Sequence, residues 1–69
     1  MNAGEVTAIL RDVIVQYGLP FTVLSVIASE RRWNITVRAE SGRTVPLSVH
    51  DGRPSSIREA IQEKLEAEL

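Results

Sequence analysis

From Arg32 to Glu40 apolar and polar residues alternate without interruption. Trp33, Ile35, Val37 and Ala39 interleave with Arg32, Asn34, Thr36, Arg38 and Glu40. Successive side chains on a strand point to opposite faces, so this stretch reads as a strand with one dry face and one wet face. A dry face must be covered. The segments on either side carry apolar residues at spacings that can cover it.

Upstream, Val6, Ile9, Leu10, Val13, Ile14 and Tyr17 recur at three- and four-residue steps and form one stripe of a helix. Asn2 and Glu5 have the spacing of a capping box, in which the first residue caps the helix and the second reaches back to it. Gly18 can adopt the left-handed conformation that closes a helix, and Pro20 prevents its resumption. The expected helix covers residues 3–17. Downstream, Asp51-Gly52-Arg53-Pro54 is turn chemistry, and Ser56 followed by Glu59 repeats the capping-box spacing. A second helix is expected over 55–68, with a stripe of Ile57, Ala60, Ile61, Leu65 and Leu69.

Between them lie two further strands. Phe21 to Ser29 is rich in β-branched and aromatic residues. Phe21, Val23 and Ile27 share one parity, and Leu24, Val26 and Ala28 share the other. Both faces therefore read as apolar, which asks for cover on both sides or for a partner on the second. The short Ser29-Glu30-Arg31 link requires an antiparallel neighbour. Ser41-Gly42 supplies a second tight turn, leading to a strand over 43–49 with Val45, Leu47 and Val49 on one face. Pro46 has no N–H to give to a ladder, so this strand belongs at an edge. The expected fold is α+β: a two-layer sandwich in the order α-β-β-β-α. Its three-stranded antiparallel meander, of order 1-2-3, has both helices on one face.

Sixty-nine residues, 43% of them hydrophobic and 25% charged, are read as a single domain over 1–69 with a thin core. Domains of this size often need a staple. There is no cysteine, which excludes disulfides and thiolate metal sites, and with one histidine a structural metal would rest on carboxylates alone, so none is expected. Self-association or dense packing is what remains. No secretory signal is visible at the start, and no apolar run approaches the roughly twenty residues needed to span a bilayer. A cytoplasmic protein with no membrane association is the expectation.

The net charge of −1 conceals an uneven distribution. Residues 31–58 hold Arg31, Arg32, Arg38, Arg43, Arg53 and Arg58 against Glu40 and Asp51. Residues 59–69 hold Lys64 against Glu59, Glu63, Glu66 and Glu68. Arg31, Arg32, Arg38, Arg53 and Arg58 are the candidate anion- or partner-binding residues. An isoelectric point near 5.7 lacks the basic excess typical of a nucleic-acid binder.

Catalytic chemistry has few candidates. His50 stands beside Asp51, and a histidine tuned by a carboxylate can act as a base. Such neighbours are also common in loops, and no nucleophile or oxyanion donor accompanies this pair. Ser55 and Ser56 are accounted for as helix-capping residues. Gly42 and Gly52 fit no phosphate-binding glycine pattern. Trp33, by its parity, belongs to the core. No catalytic site and no cofactor are expected.

The segment Ser55-Ser56-Ile57-Arg58-Glu59-Ala60-Ile61, set in an α-β-β-β-α order of this length, resembles the double-stranded-RNA-binding-domain fold. In RNA-binding members, lysines at the start of the second helix grip phosphates, and Arg58 is the position here that matches. Gly42-Arg43-Thr44-Val45, Val49-His50-Asp51-Gly52 and the segment from Ile57 to Ile61 are similar to the last strand, loop and helix of HicA-type mRNA interferase toxins. Those toxins carry a catalytic histidine near the start of the second strand, where this chain has Arg32-Trp33-Asn34. The expectation is a small non-enzymatic interaction module acting through a protein partner or a second copy of itself. The alternative is an RNA-binding module or a degenerate ribonuclease of the HicA kind.

Overall fold

The computed structural model describes residues 1–69. The elements are α1 (Ala3–Gln16), β1 (Phe21–Ser29), β2 (Arg32–Ala39), β3 (Thr44–His50) and α2 (Pro54–Glu66). The strands form one antiparallel sheet in the order β1-β2-β3. Both helices pack on one side of it, α1 against β1 and α2 against β3, and they also touch each other.

Local chemistry fixes the ends of α1. The Asn2 side chain accepts the Glu5 N–H at 2.9 Å, and the Glu5 carboxylate accepts the Asn2 N–H at 3.2 Å, completing the capping box. At the other end Gly18 has φ +59, the Leu19 N–H donates to the Ile14 carbonyl and the Gly18 N–H donates to that of Val15. That is a Schellman closure, and the buried Leu19 supplies its customary apolar contact. The start of α2 differs from the expectation. Ser56 does not cap it. Arg53 is the N-cap, makes no side-chain capping bond, and is followed by Pro54 in the first turn. Proline's fixed φ and missing N–H suit that first position, so the helix begins before the serines. Leu69 also falls outside the expected stripe: it follows the end of α2 and is 71% exposed.

The core is a single cluster of fourteen buried residues, all apolar. Val6, Leu10 and Val13 come from α1, and Ile57, Ile61 and Leu65 from α2. Trp33, Ile35 and Val37 of β2 and Val45, Leu47 and Val49 of β3 meet them, each set sharing one parity, with Leu19 and Phe21 completing the cluster.

The first strand corrects the sequence reading. Val23 pairs with Val37, but the next pair is Ser25 with Thr36, so Leu24 is a bulge with no partner in the ladder. One extra residue inverts the alternation beyond it. Val26 and Ala28 thus lie opposite Ile35 and Trp33, on the helix side, while Ile27 lies opposite Asn34 on the open side and is 60% exposed. The strand does not have two equivalent apolar faces; it has one apolar face that changes parity at Leu24.

The two turns differ in strain. Glu40, Ser41 and Gly42 (φ +89) make a three-residue loop in which glycine takes the left-handed position. The β1–β2 link is tighter than expected, with only Glu30 and Arg31 between the paired Ser29 and Arg32. Both have positive φ, +37 and +62, a conformation that suits Asn-Gly far better.

Candidate functional site

The five candidate arginines do not form one patch. Arg58 is committed to the helix layer, where its guanidinium pairs with Asp12 and donates to Gln16, fastening α2 to α1. Arg38 stands on the open face of β2 beside Thr22 and Thr44, at the end of the sheet away from the β1–β2 turn. Arg31, Arg32 and Arg53 do share one end. The Asp51 N–H donates to the Arg31 carbonyl at 2.7 Å, which brings the β1–β2 turn against the loop leading to Arg53. Arg32 pairs with His50 across the sheet at that same end.

Asp51 is the joint between these loops, and it serves Trp33 rather than His50. Neighbours at a strand end face apart, so Asp51 turns toward the core and accepts the indole N–H of Trp33 at 3.0 Å. That hydrogen bond holds the Asp51 carboxyl below its usual range, with a further lowering contribution from the Gly52 N–H. Trp33 is buried with its one polar atom satisfied. His50 and Asp51, weighed in the sequence as a candidate base and its carboxylate, do not pair. His50 faces the open side, where its Nε2 lies 2.8 Å from Arg32 Nη1.

Arg32 crosses β3. Its Nε donates to Ser48 Oγ at 2.7 Å, and neither side chain it meets is a carboxylate. Beside it, a cleft along the free edge of β3 is lined by Arg32, Pro46, Leu47, Ser48, Lys64, Ala67 and Glu68. Lys64 was not singled out in the sequence, because nothing there links the last turn of α2 to the second strand.

The strand at the other free edge, β1, carries no charge. From Phe21 to Ser29 there is no ionisable side chain, and a groove beside it is lined by Arg11, Ile14, Val15, Phe21, Thr22 and Val23. Val15 is 79% exposed, and Leu24 and Ile27 add apolar surface on the open face. Natural sheets usually protect an edge with a charge, a proline or a bulge. Here β3 has Pro46, and β1 has only the bulge. No helix is long and apolar enough to cross a membrane. Compared with protein-family models, with curated proteins and with solved structures, the chain finds no match in any of the three.

Proposed function

We propose that this chain is a non-enzymatic interaction module that self-associates along the free edge of β1. The observation that carries the proposal is the nine-residue uncharged strand at the sheet edge, with a groove beside it that four apolar residues and Arg11 and Thr22 line. Strand addition satisfies open backbone groups, and neighbouring pockets take the alternate side chains. A second copy fits this edge better than an arbitrary partner for two reasons. Its own β1 brings no unpaired charge into the contact. In an antiparallel two-fold pairing about Ser25, Phe21 faces Ser29 of the second copy, which sets Arg11 near that copy's Glu30. Neither residue has an ion-pair partner within one chain. A strand-sized contact is below the usual area of stable interfaces, so the association is a weak one.

Analytical ultracentrifugation from micromolar to submillimolar concentration is the test. A reversible dimer is expected, weakened by Arg11→Glu or Glu30→Arg alone and restored when both are combined. A strict monomer throughout that range refutes self-association.

A second reading, an RNA-binding module of the double-stranded-RNA-binding or HicA-like kind, is supported by the α-β-β-β-α order and by Arg31, Arg32 and Arg53 at one end of the sheet. Titration with double-stranded RNA at low salt, where phosphate contacts are strongest, decides it, and no binding there refutes it.

A further inference from the structure

We propose that the cleft along the free edge of β3 is a binding site for the phosphate group of a small phosphomonoester, held between Arg32 and Lys64. The site is independent of the β1 edge, on the opposite side of the sheet.

Arg32 is positioned but not neutralised. Its Nε donates to Ser48 Oγ at 2.7 Å and its Nη1 meets His50 Nε2 at 2.8 Å, which fixes the side chain across β3. Neither acceptor is a carboxylate, no carboxylate lies within ion-pair distance, and Nη2 has no partner. A guanidinium held this way keeps Nη2 free to donate to an oxyanion without the entropy cost of ordering the side chain on binding.

Lys64 enters the same cleft from the last turn of α2 and makes no ion pair. Glu68 is the one acid in the lining, and it is engaged by Arg43 Nη1 at 3.3 Å. The cleft therefore presents two uncompensated positive charges in a chain whose net charge is −1. Two unit charges match a phosphomonoester, which carries close to two negative charges at neutral pH, better than a carboxylate, which carries one. The opening, about 330 Å³, is larger than a bare phosphate and leaves room for a small organic group against Pro46, Leu47 and Ala67.

The test is a titration of the full chain at low ionic strength and pH 7.5, followed by amide and side-chain NMR shifts. The probes are inorganic phosphate, phosphoserine as the free amino acid, and acetate. Saturable shifts centred on Arg32, Ser48 and Lys64 are expected with both phosphates, tighter for phosphoserine, with acetate at least tenfold weaker. Arg32→Gln and Lys64→Gln should each weaken phosphate binding about tenfold, because each removes a charged hydrogen-bond donor. Arg38→Gln, on the far end of the open face, should leave it unchanged. Trp33 emission checks that every variant is folded. The proposal is overturned by no saturation at tens of millimolar phosphate, equal binding of acetate, binding that survives both Gln substitutions, or shifts centred on Arg31 and Arg53. Displacement of phosphoserine by an RNA duplex would assign the cleft to nucleic acid instead and overturn the small-molecule class.

Discussion

Deleting Leu24 should be tolerated, although one-residue deletions inside strands usually destroy a sheet. Ser25 onward is already paired in register with β2, so removing the bulge residue joins Val23 to Ser25 and leaves a regular ladder. Every other β1 side chain keeps its face. The loss is the buried part of Leu24, which is 42% exposed. Full burial of a leucine contributes about 1.5–3 kcal/mol, so the loss is about 1–2 kcal/mol. One fewer ordered residue offsets about 1 kcal/mol of that. The net change is expected within about 1 kcal/mol, against a total of about 3.5–10 kcal/mol for a domain of this length.

Deleting Asn34 from β2 is the contrasting perturbation. Either Trp33 leaves the core, or Ile35 and Val37 do, and removing the tryptophan alone costs about 3–5 kcal/mol. That variant should be unfolded. Urea unfolding followed by the single tryptophan, Trp33, reads both deletions, because the indole is buried and bonded to Asp51 when folded. A loss above about 3 kcal/mol on deleting Leu24, or red-shifted emission without urea, would refute the argument that it is a spare residue in the ladder.

Three further outcomes follow from the geometry. Ile27→Lys should change stability by no more than about 0.5 kcal/mol, while Val26→Lys, facing the helices, should lose more than about 1 kcal/mol; equal effects in urea melts would place the parity change elsewhere. Replacing Glu30-Arg31 by Asn-Gly should raise stability by about 1–2 kcal/mol, since both positions have positive φ, and an unchanged denaturation midpoint would contradict the strain. Asp51 has a folded pKa below its unfolded one, so its contribution is present above the ordinary carboxylate range and is lost as pH falls through the folded value. Asp51→Asn keeps an oxygen for Trp33 and should flatten the acid limb of stability against pH; an acid limb as steep as the wild type would assign it to other carboxylates.

The order of elements, the antiparallel meander and the two ends of α1 were determined by the sequence. Each is local: a period of two in β2, a stripe and a capping box in α1, a proline that forces β3 to an edge. The start of α2 was misjudged because Pro54 competes with Ser56 for the role of first signal, and a fixed φ prevails over a hydroxyl cap. Only the tertiary structure decided the face of Ile27, because a bulge is a mismatch between two strands and neither strand alone contains it. The same holds for the arginines. Their sequence shows an excess of charge, but whether a guanidinium is free depends on partners far along the chain. Asp12 takes Arg58 across the helix layer, while Ser48 and His50 hold Arg32 without neutralising it and Lys64 arrives from the last helix. Periodicity is a property of neighbours in the chain, and charge compensation is a property of neighbours in space.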